Sequence, residues 1–206
     1  MGAAGVAGLV EGARPGAALS RRSRQRRQGV RGAAALALAA GLLAAPTAAG
    51  AADAATCRTA WGSTDEVALG LGSGAVTGVR AGRHACFDRL VVDVRGEVGG
   101  HLVRYVDGVT QDGSGTPVPL RGGAQLVVVV GAPSHDEGFR PTYAPADARE
   151  LVTTTGMGAL RQVAWAGSFE GQTTVGVGVR ARTPFRSFVL RDGATSRVVV
   201  DVAHRW

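Results

Sequence analysis

The chain has 206 residues, room for one domain and an appendage, and a formal charge of +7 that first suggests a nucleic-acid partner. Its 23 basic residues are all arginine, and seven of them (Arg14, Arg21, Arg22, Arg24, Arg26, Arg27 and Arg31) lie in residues 1–51 beside one acid, Glu11. The remainder carries 16 arginines against 15 acids, a net of +1, so the basic character belongs to the leader and no nucleic-acid role is expected for the folded part.

The leader has the anatomy of a secretory signal. A basic run, Arg21 to Arg31, precedes the apolar stretch Ala33 to Ala45, and Ala49-Gly50-Ala51 forms an A-x-A cleavage site. That apolar stretch is shorter than the roughly 20 residues a bilayer span needs. Export with cleavage is the expectation. The alternative is an uncleaved anchor extending through Pro46 to Ala52, in which case the membrane is met only through this segment. Ser20-Arg21-Arg22 leaves a twin-arginine route open beside the general one. Cys57 and Cys86 both follow the leader, and two cysteines in an oxidising compartment most simply form one disulfide.

Residues 52–82 read as a Gly-rich N-terminal arm, a flexible connector, with Gly70, Gly72, Gly74 and Gly78. No strand feeds these glycines and no helix follows them, so they are not a dinucleotide loop. The domain proper is placed at 83–206. Phe87–Val94, FDRLVVDV, sets Leu90, Val92 and Val94 on one side and Arg89, Val91 and Asp93 on the other. The C-terminal SRVVVDV, Ser196–Val202, echoes it, with Val198, Val200 and Val202 against Arg197, Val199 and Asp201. Both read as half-buried strands of one antiparallel sheet.

Between these two strands come His101–Val106, a turn-rich loop at Asp107–Gly115, Thr116–Leu120, a tight hairpin turn at Arg121-Gly122-Gly123, and Gln125–Val130, apolar enough for a central strand. Gly131–Ala148 is a long loop. Leu160–Phe169 and Thr173–Val179 flank a turn at Glu170-Gly171-Gln172, and Phe185–Leu190 and Arg197–Val202 flank one at Asp192-Gly193. Helical signal is confined to a turn or two at Asp147–Val152. The pattern predicts an all-β fold, an antiparallel β-sandwich behind an N-terminal signal segment.

The strings TGVRAGRHACFDRLVVDV, VRYVDGVTQDGSGTPVPL, RQVAWAGSFEGQTTVGVGVRARTPFRSFVL and SRVVVDVAHRW resemble the AMIN-like domain proteins of high-GC Gram-positive bacteria. The resemblance covers nearly all of residues 57–206. It implies kinship with the AMIN domain, a β-sandwich that targets cell-wall amidases and envelope machinery to peptidoglycan. Unlike the amidases, this chain is not expected to carry a fused catalytic domain.

Catalytic constellations are weak. Ser134, His135 and Asp136 are adjacent, and adjacent residues do not point at one another as nucleophile, base and orienter must. The four histidines lack metal-motif spacing, and Asp112-Gly113-Ser114-Gly115 lacks the acids of a calcium loop, so no metal and no cofactor are expected. The ligand candidates lie on strands. Thr174, Gly176, Gly178 and Arg180 share one face of their strand, a lane nearly bare of side chains. Trp165 and Phe169 share a side with Arg161 across the Glu170-Gly171 hairpin, and aromatic faces beside polar groups suit saccharides. Arg180, Arg182 and Arg186 surround Thr183-Pro184, and Arg104 adjoins Tyr105; guanidinium forks match the carboxylates of peptidoglycan stem peptides. The candidate set is therefore Arg104, Tyr105, Trp165, Glu170, Arg180, Arg182 and Arg186. The plainer reading is that Trp165 covers the glycines, that the arginines pair with acids across strands, and that Trp206 is a packing lid.

The sequence thus predicts an exported, non-catalytic binding or targeting module of the cell envelope, with peptidoglycan as partner. The alternative is a structural β-sandwich that docks an envelope protein. A secreted enzyme finds no nucleophile with its base, no carboxylate pair and no metal set.

Overall fold

A computed structural model of the protein describes Cys57 and residues 59–206; the signal segment, its cleavage site and the tail at 52–56 lie outside the described residues. Eleven strands form among the described residues: β1 (Glu66–Leu69), β2 (Ala75–Arg83), β3 (Phe87–Arg95), β4 (Gly100–Val106), β5 (Val109–Thr110), β6 (Pro117–Val118), β7 (Ala124–Val130), β8 (Leu160–Phe169), β9 (Gln172–Val179), β10 (Phe185–Asp192) and β11 (Thr195–Ala203). They make one sheet in the order β1-β4-β7-β9-β8, a second in the order β10-β11-β3-β2, and a small β5-β6 hairpin, every pair antiparallel. We call the five-stranded sheet A and the four-stranded sheet B.

The core lies between their inner faces, where alternation delivers one apolar row per strand. Sheet B contributes Val76, Leu90, Val92, Val94, Phe185, Val198, Val200 and Val202, and sheet A contributes Val103, Leu126, Val128, Val130, Leu160, Val163, Val175, Val177 and Val179. The all-β sandwich is as expected. β3 and β11 are immediate neighbours, and β7, the QLVVVV strand, is third of five.

Two local expectations are corrected. Part of the flexible connector is strand: β1 and β2 fall inside 57–83. The period-2 signal of β2 is broken by a bulge between Val76 and Gly78, which resets the faces so that Val76, Val79 and Ala81 all turn inward. Arg121-Gly122-Gly123 is not a hairpin turn into β7, because β6 pairs with β5 while β7 pairs with β4 and β9. The chain leaves β4, folds back as the β5–β6 hairpin over the outer face of sheet A, and re-enters at β7.

At one end of the sandwich the buried carboxylate of Asp88 joins the two sheets. It accepts hydrogen bonds from the backbone N–H of Gly158 (3.2 Å), Ala159 (2.6 Å) and Leu160 (2.9 Å), and its Oδ1 lies 2.9 Å from His204 Nε2. Burial by itself pushes this carboxyl up; the hydrogen bonds from Leu160, Ala159, His204 and Gly158 together outweigh it and hold the group below its ordinary value.

Candidate functional site

The outer face of sheet B carries a dense array of aromatic and charged groups. On β3 it presents Phe87, Arg89, Val91 and Asp93, on β11 Arg197, Val199 and Asp201, and on β10 Arg186 and Phe188. The register places Asp201 directly between Arg186 and Arg89. Asp201 is fully buried; Arg89 reaches it through Nε (2.6 Å) and Nη2 (2.9 Å), Arg186 through Nε (2.9 Å) and Nη2 (2.8 Å). The buried carboxylate fixes both guanidinium planes, and it raises the pKa of Arg89 above its ordinary value against the opposing effect of burial. Two pleat repeats further along β3, Arg80 grips Asp93 (2.8 and 3.1 Å), with Arg197 3.7 Å from the same carboxylate.

Aromatic rings border the first of these rungs. The Arg186 guanidinium lies 4.4 Å from the centroid of Trp61 and 5.3 Å from that of Phe188; Arg89 lies 5.4 Å from Phe87 and 5.6 Å from Phe188. Phe87 is flanked edge-on by Trp61 (5.5 Å) and stacked on His84 (4.5 Å). Trp61 comes from the N-terminal segment, which is tied here by the Cys57–Cys86 disulfide (Cα–Cα 5.1 Å), one residue before Phe87 and four before Trp61, and by the hydrogen bond from Phe185 N to Gly62 O (2.8 Å). The result is a half-buried aromatic surface crossed by two oriented guanidinium groups, with four arginines to three aspartates once Asp192, 3.9 Å from Arg197, is counted. Such a surface stacks sugar rings and pairs with carboxylates.

A model of the AMIN-like domain matches residues 74–204, well over half of the sequence. The chain belongs to the AMIN-like domain family. AMIN-like domains are in general non-catalytic modules of exported, envelope-associated proteins. Among curated proteins and solved structures, none matches the chain.

Within this AMIN-like domain the candidates named from sequence do not form one cluster. Arg186 alone stands on the aromatic surface of sheet B. Arg104 is exposed on the outer face of sheet A, opposite Val127, while its neighbour Tyr105 turns inward. The Tyr105 hydroxyl donates to Thr183 O (2.8 Å) and accepts from Thr183 N (3.0 Å), and its ring packs edge-on against Phe185. Arg182 lies over the Tyr105 ring (4.9 Å) and donates to Ser63 O (3.2 Å). Arg180 donates to His204 O, and Glu170 occupies the exposed β8–β9 turn at φ 48°.

Trp165 packs against Tyr143 (5.6 Å), not over the glycines, and Phe169 is on the other face of β8. The cause is a bulge: Trp165 opposes Val175 and Ser168 opposes Thr173, so one extra residue intervenes and the alternation is reset. The lane along Gly176 and Gly178 is occupied. Leu120 and Val109 lie 3.1 Å from where a Gly176 Cβ would stand, and the Arg121 carbonyl 1.9 Å from that of Gly178. Trp206 is mostly exposed, its indole N–H donating to Arg182 O (3.0 Å), so it is no lid on the core.

Of the surface on sheet B, sequence reasoning missed Trp61, Phe87, Phe188, Arg89 and Asp201 as a unit. One signal was present: Arg89 and Asp93 have the same spacing as Arg197 and Asp201, and aligning the two stretches antiparallel matches arginine to aspartate twice. No group of three His, Cys, Asp or Glu among the described residues is placed to hold a metal ion.

Proposed function

We propose that this domain is a peptidoglycan-binding module and that its ligand surface is the outer face of sheet B. Support comes above all from the Arg186–Asp201–Arg89 rung, two guanidinium groups oriented by one buried carboxylate among Trp61, Phe87 and Phe188. Peptidoglycan offers both groups that such a surface recognises: the faces of sugar rings for stacking, and stem-peptide carboxylates for the guanidinium N–H groups that do not face Asp201. The preorganised arginines lose little side-chain freedom on binding, which favours recognition by an otherwise open surface.

Sedimentation of the exported, oxidised protein with purified sacculi across a salt series tests this reading. Saturable retention at physiological salt is expected, and W61A and R186A should each weaken it by about tenfold, the effect of losing one good stacking or charged contact. R104A, on the other sheet, should leave it unchanged. Retention unaffected by W61A and R186A would remove this surface from the mechanism; no retention at all would remove the polymer. A protein partner is the second reading, favoured by the edge of β1, which has no backbone partner other than β4 among the described residues.

A further inference from the structure

Each sheet ends in two edge strands, and these differ in how they are covered. The edge of β8 is closed by the preceding loop: Leu151 N donates to Val163 O (2.8 Å), Trp165 N to Ala148 O (2.7 Å) and Thr154 Oγ1 to Arg161 O (2.9 Å). β2 is tied at its start by Val76 N to Pro133 O (2.8 Å) and Thr142 Oγ1 to Val76 O (2.7 Å). β10 is held by Phe185 N to Gly62 O (2.8 Å) and by the Glu66 carboxylate on Ser187. For β1, the only backbone partner among the described residues is β4.

That edge is short, four residues, and turns the charged Glu66 onto Ser187, but it carries no proline, lysine or bulge and no backbone partner other than β4 among the described residues. Its outward residues are apolar: Val67 is 59% exposed, Leu69 93%, and Leu71, two residues on, 97%. The edge borders a groove of about 620 Å³ shared with β10, lined by Asp65 to Gly70 on one side and Ser187, Phe188, Val189 and Arg191 on the other. β10 runs alongside in the same sense as β1, since Gly62 bonds Phe185 and Glu66 bonds Ser187. Asp65 therefore marks one end of the groove and Arg191 the other. Neither forms a side-chain ion pair among the described residues.

We propose that β1 pairs antiparallel with β1 of a second copy about a two-fold axis at Ala68, joining two A sheets edge to edge. This occupant is favoured because the edge is complementary to itself. With Ala68 on the axis, Val67 opposes Leu69 of the second copy and Leu69 opposes its Val67; directly opposed residues of an antiparallel pair share a face, so four exposed apolar side chains cover one another. Asp65 falls opposite Leu71 of the second copy, at the end of the groove where its Arg191 lies, and the same contact recurs by symmetry. The two Asp65 carboxylates stand at opposite ends of the paired strands. The ligand surface on sheet B plays no part in this pairing, so either proposal can fail without the other.

Sedimentation equilibrium of the oxidised, exported protein over a concentration series tests the dimer. The weight-average mass should approach twice the monomer's as concentration rises through the micromolar range, the regime of a small interface (about 10⁻⁶–10⁻⁴ M). L69K changes a side chain exposed in the monomer and should weaken association by tenfold or more (about one decade in Kd) without moving the unfolding midpoint. D65R should weaken it similarly, and D65R/R191D in one chain should restore it, because the swapped charges meet across the axis. A wild-type protein monomeric to about 10⁻³ M would overturn the proposal and leave the edge to a strand of another protein. So would a dimer indifferent to L69K and D65R.

Discussion

Asp88 and Asp201 are both fully buried aspartates, and each is resolved by different chemistry. Asp201 pairs with two guanidinium groups, whereas Asp88 is hydrogen-bonded by three backbone N–H donors and lies 2.9 Å from His204 Nε2. The consequence for Asp88 is a pH dependence with a definite sign. Its folded-state pKa lies below the unfolded value of about 4, so its stabilising contribution is full above that unfolded value and is lost as pH falls through the folded one. D88N keeps the shape but turns an acceptor into an amide, and should cost roughly 2–4 kcal/mol at neutral pH because it leaves buried N–H groups without an anion. Urea unfolding should show that loss at pH 7 and a smaller gap between wild type and D88N in acid. An equal gap at both pH values would remove the charge from the argument. No pattern in FDRLVVDV marks Asp88 as special, since its donors arrive from residues 158–160, some seventy positions away.

At the scale of elements, strand pairing was written in the sequence wherever alternation was unbroken. The equal Arg-to-Asp spacing of β3 and β11 makes them complementary in antiparallel register, and Arg89 meets Asp201 while Asp93 meets Arg197. Where a bulge resets the alternation, the pattern misleads: β2 reads as connector, and Phe169 is assigned to the face of Trp165. The Gly176–Gly178 lane shows a third case, in which a bare strand face signals close backbone approach instead of an open surface. Gly178 is needed because the chain at Arg121 lies flat upon it, with Arg121 N held by Gln162 Oε1 (2.8 Å). G178A should therefore lift the segment 119–123 from sheet A and cost about 3 kcal/mol, as overpacking against an immovable carbonyl does. Thermal unfolding checks the loss, and a G178A protein as stable as wild type would mean that this segment yields freely.

For the whole molecule the disulfide has two effects. Closing a loop across 29 residues contributes about 3.6 kcal/mol in the chain-entropy account, so reduction should lower the unfolding free energy by that order. The bond also fixes Trp61 against Phe87 and Arg186. Reduction, or C57S with C86S, should then weaken sacculus binding at temperatures where the sandwich remains folded by circular dichroism. Binding that survives while stability falls would confine the disulfide to the fold.

The sequence by itself determined the class of fold, the strands with regular alternation, the disulfide and the family, because each depends on local periodicity or on residue identity. Tertiary structure alone decided which faces are covered: the β5–β6 hairpin and the segment after it close the glycine lane, and sheet order puts β1 at an edge among the described residues. It also decided the aromatic and arginine surface of sheet B: Trp61, Phe87, Arg186 and Asp201 come from separate stretches of chain, and sheet register, the disulfide and the Phe185–Gly62 hydrogen bond put them in contact.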